Sequence, residues 1–277
     1  MRSVRNAVRR LVVLVAGLLL AGGAAGYATA APIQAQAVDY VALGDSYASG
    51  TGIGQYYSDS GSCKRSPQAY AALWASSHAV SSFTFVACSG ATTQDVQNNQ
   101  LSALNSGTDF VTISIGGNDV GFAEVVTTCQ LGTDSLCDQA VSVAESVARN
   151  QLPGRLDAVY AQIRQRAPQA QVVVLGYPGL FEMGSCGITG MSETKRQRLN
   201  AAADVLASVI SSRAQAAGFT YVDTRSAFVG HRVCASDPWI NGLSWPVDES
   251  YHPNAKGHAN AYLPALNAVT GFVAARH

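Results

Sequence analysis

The 277-residue chain lacks several features that would each have marked a class of protein. It has no extended basic run after its first ten residues, so it carries no electrostatic footprint for nucleic acid, and no nucleic-acid partner is expected. It has no Cys-x-x-Cys pair, and its 5 histidines do not stand at finger spacing from its 6 cysteines, which argues against structural zinc. After residue 30 no apolar stretch is long enough to span a bilayer, so no stable membrane insertion is expected of the mature protein. Internal repeats and long disordered linkers are also missing, which leaves one domain as the simplest partition.

What is present begins with a segment unlike the rest. Arg2, Arg5, Arg9 and Arg10 precede an apolar run from Leu11 to Leu20, and small residues follow, ending in Ala28-Thr29-Ala30. This pattern predicts a secretion signal over 1–30 and a single domain over 31–277, exported by the general route in preference to a twin-arginine one. Cleavage removes four arginines and no acids. The whole chain has 18 basic and 18 acidic residues, so the mature protein keeps 14 against 18, a net charge of about −4.

In a secreted chain the six cysteines, Cys63, Cys88, Cys129, Cys137, Cys186 and Cys234, are expected to form disulfides. Order alone leaves every pairing open. Sequential pairing is favoured, since it closes a short loop in the middle and ties two loops near strand ends.

Val38–Gly44, Phe83–Ala87, Phe110–Ile115, Gln171–Leu175 and Thr220–Val222 read as buried strands. Between and after them Pro67–His78, Thr93–Leu104, Gln139–Ala167, Ser192–Ala217 and Pro253–Ala275 read as helices. Such alternation predicts a parallel sheet covered by helices on both faces, with ligands bound beyond the carboxyl ends of the strands. Three polar turns converge on that edge: Gly44–Gly52 after the first strand, Cys88–Thr93 after the second and Gly116–Phe122 after the third.

A serine at a strand exit is most often a turn former, but Ser46 could be a nucleophile if a base took its proton, and His252 is the candidate base. Asn118 could aim its side-chain N–H at a developing oxyanion, and Gly90, without a side chain, could offer its backbone N–H. Asp45 and Asp119 are assigned to structural support of their turns. His258 is assigned to the surface or to helix packing, and His78, His231 and His277 have no partner pattern.

Gly44-Asp45-Ser46-Tyr47, then Gly90, then Gly116-Gly117-Asn118-Asp119, then His252-Pro253, in that order, resemble the four signature blocks of the SGNH or GDSL hydrolase superfamily. The resemblance implies a three-layer α/β/α sandwich around a flavodoxin-like parallel sheet, and a serine esterase or lipase needing no metal and no organic cofactor. It implies Ser46 as nucleophile, His252 as general base, and an oxyanion hole made of the Ser46 N–H, the Gly90 N–H and the Asn118 side chain. The signal, the cysteines and Asp237–Leu243 are more similar to the secreted actinobacterial lipase, esterase and phospholipase A branch than to cytosolic thioesterases. That branch pairs its disulfides sequentially: 63 with 88, 129 with 137, 186 with 234.

One departure concerns the acid. The family commonly places an aspartate three residues before the histidine, and here that position is Glu249, with Asp248 one residue further back. The branch resembled often orients its histidine with a main-chain carbonyl instead. The expectation is therefore a Ser46–His252 dyad oriented by the Ser250 carbonyl, with Glu249 as the alternative and Asp248 third.

The substrate expected is a small-molecule or lipid acyl ester, taken by a monomer. Tyr47, Phe122, Leu180, Phe181 and Trp239 are candidates for an acyl pocket. Carbohydrate O-deacetylation ranks second. A non-catalytic secreted lipid- or carbohydrate-binding protein, or a metal-dependent phosphoesterase, ranks below both.

Overall fold

A computed structural model describes residues 37–270; the expected signal segment and the end of the expected last helix lie outside them. Five strands, β1 (Val38–Gly44), β2 (Val80–Phe85), β3 (Phe110–Ser114), β4 (Gln171–Leu175) and β5 (Thr220–Val222), form one sheet in the order β2-β1-β3-β4-β5 with every neighbouring pair parallel. The bounds of β1, β4 and β5 are those expected. β3 stops one residue earlier, and β2 starts three residues earlier. The cause at β2 is its edge position: Ser81 and Ser82 are exposed and donate to the Asp39 carboxylate at 2.6 and 2.9 Å, so the strand lacks the continuous apolar run by which a buried strand is recognised.

The helices are α1 (Ser46–Ser49), α2 (Tyr70–Ser77), α3 (Thr93–Asp95), α4 (Phe122–Leu131), α5 (Asp134–Asn150), α6 (Leu152–Arg166), α7 (Glu193–Ala216), α8 (Ala255–Gly257) and α9 (Leu263–Thr270). The single helix expected over Gln139–Ala167 is two, α5 and α6. The break falls at Gln151, with Pro153 in the first turn of α6, where its missing N–H is harmless. Helix α4 was not expected: Val125-Val126 and Thr127-Thr128 are β-branched and weak helix formers, so tertiary packing decides their state.

α2 and α9 pack together on one side of the sheet and α4 to α7 on the other. β1 and β3 are accordingly buried along almost their whole length, as a sheet covered on both faces requires. Tyr40 of β1 meets Trp74 of α2 edge-on at 5.2 Å between ring centroids and donates to or accepts from Thr112 at 2.7 Å. Disulfides join Cys63 to Cys88, Cys129 to Cys137 and Cys186 to Cys234.

The order of the strands places the chemistry. Connections leave β1 toward β2 on one side while β3 lies on the other, so the sheet opens a crevice at the carboxyl ends of β1 and β3. Gly44 ends β1 at φ +125°, and a Cβ there would lie 2.4 Å from the Ser114 carbonyl oxygen, so only glycine lets the chain turn this close to β3. Gln100 holds the turn, accepting from the Gly44 N–H at 2.8 Å and donating to its carbonyl at 2.9 Å.

Candidate active site

Ser46 is the first residue of α1, directly over the crevice. Asp45 caps that helix by accepting from the Tyr47 N–H at 3.0 Å and accepts a second, short hydrogen bond from the Tyr177 hydroxyl. Tyr177 in turn accepts from the Gly117 N–H at 3.0 Å, so the turns after β1, β3 and β4 are tied at one point. Burial pushes the Asp45 carboxyl up to about 7, against the lowering effect of those two donors. As the first helical residue, Ser46 has no i−4 carbonyl for its N–H.

His252 arrives from an irregular loop, and its position is set by hydrogen bonds scattered through the chain. The Asn241 N–H donates to the His252 carbonyl at 2.9 Å, and Tyr251 returns the bond to the Asn241 carbonyl at 3.0 Å. The Asn241 side chain reaches the Gly52 carbonyl at 2.7 Å, and the Tyr47 hydroxyl donates to the Tyr251 carbonyl at 2.7 Å. Gly52 passes so close under the histidine that a Cβ would lie 2.8 Å from the His252 Cβ. Tyr251 itself sits at φ +62°, a conformation uncommon for a bulky residue and here held by Asn241 at its N–H and Tyr47 at its carbonyl.

The result is a linear array. Ser46 Oγ lies 2.8 Å from His252 Nε2, and His252 Nδ1 lies 2.9 Å from the Ser250 carbonyl oxygen. A carbonyl can only accept, so Nδ1 carries the proton and Nε2 presents its lone pair to the serine hydroxyl. Burial lowers the imidazole to about 4, so it is neutral at ordinary pH.

Neither acid reaches this ring. Asp248 and Glu249 turn to Lys64, at 2.7 and 3.3 Å, and act on His252 only through space. Asn118, in the turn after β3, donates its side-chain amide to the Ala91 carbonyl at 2.9 Å, which leaves its second N–H for the cleft. Gly90 sits at φ +80° on the turn after β2. It lines a separate cleft with Cys63, Cys88 and Gln100 and not the one at Ser46, and among the described residues its N–H finds no acceptor while those of Ser89 and Ala91 do. Asp119 accepts from the Thr93 N–H at 2.9 Å and from its hydroxyl at 2.6 Å. His258 is fully buried in helix packing and is not on the surface.

From Ser46 an apolar cleft runs between α5 and α7, past Ala144 and Ala148 on one and Leu199 and Ala202 on the other. Tyr47, Phe122 and Leu180 line it. Two of the expected pocket residues do not: Phe181 is fully buried beside the Tyr251 ring, and Trp239 stacks on His231 at 3.6 Å. Tyr177, Asn241 and Lys64 escaped the sequence reading. Tyr177 follows a strand between Gly176 and Gly179 and could have been found by the rule that found Ser46, whereas Asn241 and Lys64 stand in loops without a local signature.

A parallel sheet of order 2-1-3-4-5, with a serine and a histidine in contact at its switch point over an apolar cleft, defines a hydrolase of the three-layer α/β/α type. The model of the GDSL-like Lipase/Acylhydrolase family matches residues 42–259. Lipase 1 of Streptomyces coelicolor is 51% identical over 93% of this chain and 97% of its own. The crystal structure of the extracellular lipase from Streptomyces rimosus superposes with a TM-score of 0.83 at 51% identity, covering 84% of this chain and 100% of the other. That of phospholipase A1 from Streptomyces albidoflavus gives 0.82 at 50%, covering 84% and 99%. The chain belongs to the GDSL-like lipase/acylhydrolase family and is an ester hydrolase.

Proposed function

We infer that the protein is a secreted lipase or esterase that cleaves carboxylic esters of lipids or short-chain acids by acyl transfer through Ser46. His252 removes the serine proton as Oγ attacks the ester carbonyl, and the Ser46 N–H, Gly90 N–H and Asn118 amide hold the resulting oxyanion. His252 then protonates the leaving alcohol, and water repeats the cycle on the acyl-enzyme. The Ser250 carbonyl keeps the imidazole in the tautomer this requires. The observation that carries the proposal is the 2.8 Å contact of Ser46 with His252 at the mouth of the apolar cleft.

The apolar walls between α5 and α7 suit an acyl chain better than an acetylated sugar, which places lipid esters ahead of carbohydrate deacetylation. Residues 1–30 act as the export signal and 31–277 as the hydrolase domain. The three disulfides and the extracellular lipase of Streptomyces rimosus support secretion. The enzyme works as a monomer.

The test is a series of p-nitrophenyl esters of increasing chain length, set beside acetylxylan. Turnover of the esters that vanishes in Ser46→Ala is the expected result. Equal rates in both proteins, or acetylxylan as the better substrate, would refute the reading.

A further inference from the structure

The segment between Gly242 and Ser250 carries three exposed apolar side chains at alternate positions: Leu243 at 59%, Trp245 at 88% and Val247 at 57%. Single exposed apolar residues are ordinary, but three within five residues form a patch. Trp245 is the most exposed large apolar residue among those described. The segment is also well anchored. Ser244 donates its N–H to the Ser250 Oγ at 2.9 Å, and the Ser250 N–H donates to the Val247 carbonyl at 3.0 Å, so residues 245–249 form a short closed tip.

That tip rises from the base of the site, because the Ser250 carbonyl at its foot is the acceptor for His252 Nδ1. Its two acids, Asp248 and Glu249, share the one Lys64, so it presents apolar side chains beside a single uncompensated negative charge. No helix among the described residues is long and apolar enough to cross a membrane, so the patch suits contact with a surface and not insertion through one.

We propose that Leu243, Trp245 and Val247 dock the enzyme on a neutral or zwitterionic lipid–water interface, holding the Ser46 cleft over ester-bearing lipids; this inference rests on the acyl-ester reading above. An indole ring on a small apolar tip suits the interfacial zone, being apolar in body and polar at its N–H. The zwitterionic preference follows from charge. A mature chain of about −4 is repelled by an anionic surface, and Lys64, the cation beside the tip, is already paired with its two acids.

The test uses the exported, oxidised protein and its Trp245→Ala variant in sedimentation with phosphatidylcholine vesicles. The expected result is that the variant partitions about tenfold more weakly and loses the vesicle-dependent blue shift in emission. Trp74 is buried and Trp239 stacks on His231, so Trp245 is the natural source of that shift. Val247→Ser should weaken partitioning less, while both variants keep kcat/KM on soluble p-nitrophenyl butyrate within about twofold. Equal partitioning of wild type and Trp245→Ala, binding to anionic vesicles alone, or a Trp245-dependent dimer without vesicle binding would overturn the proposal. Trp245-dependent vesicle binding by a protein inactive on every soluble ester would uphold the docking and sink the hydrolase reading alone.

Discussion

Two histidines six residues apart occupy environments that differ in one respect. His252 and His258 are both buried, and burial lowers both imidazoles, to about 4 and about 3. His258 accepts from the Tyr70 N–H at 3.2 Å and packs beside the rings of both Tyr70 and Tyr262, while its Nε2 has no partner among the described residues. His252 has a carbonyl on one nitrogen and a serine hydroxyl on the other. Desolvation therefore does not distinguish a base from a packing residue. What distinguishes them is which nitrogen is left to accept a proton and what stands in front of it.

The largest effect that can break this comparison is deletion of His252. His252→Ala should lower kcat on p-nitrophenyl butyrate on the order of 10⁶-fold while the protein stays folded, because serine and base act as a unit. A residual rate within a hundredfold of wild type would remove His252 from the reaction. Asn118→Ala should cost about 10²- to 10³-fold in kcat with KM little changed, as expected for a donor used chiefly in the transition state. A change in KM alone would instead make Asn118 a ground-state contact.

His258→Ala should do the opposite of His252→Ala. Chemical denaturation should show a loss of about 3 kcal/mol, from the cavity and the unpaired Tyr70 N–H, with kcat kept within about threefold. The two histidines also make stability depend on pH with a defined sign. Both bind a proton more readily unfolded, near 6.5, than folded, so stability is full above that pH and falls as pH drops through about 4 and 3. The slope of the denaturation midpoint between pH 6.5 and 3 should be shallower in His258→Ala than in wild type. An unchanged slope would contradict the assignment of a buried, neutral His258.

The same contrast explains what the sequence makes legible. β1 and β4 are apolar apart from Asp39 and Gln171, so their bounds can be read from the sequence, and Ser46, Asn118 and Gly90 are visible because they leave strands at one edge of the sheet. His252 reaches that edge through a loop with no strand of its own, so only its motif betrays it. The groups that fix it, Asn241, Tyr47 and the Tyr251 backbone at φ +62°, are joined across as many as 204 positions of the chain and have no local signature. The preference for a carbonyl over Glu249 could be argued from the displaced acid, but the reason Glu249 turns away is Lys64, held in place next to the Cys63–Cys88 bridge. α4 escaped because its β-branched pairs speak for a strand until packing on α5 overrules them.

The smallest expected effect bears most directly on the central claim, that His252 is oriented by a main-chain carbonyl and not by an acid. The measurement is the pH profile of kcat/KM on p-nitrophenyl butyrate for Glu249→Gln beside wild type. The account predicts rates within about threefold of each other and, in both, an acid limb set by the free-enzyme imidazole near pH 4. A folded Glu249→Gln that loses about 10³-fold or more, as acid-dependent triads do, would contradict it and make Glu249 the orienting group.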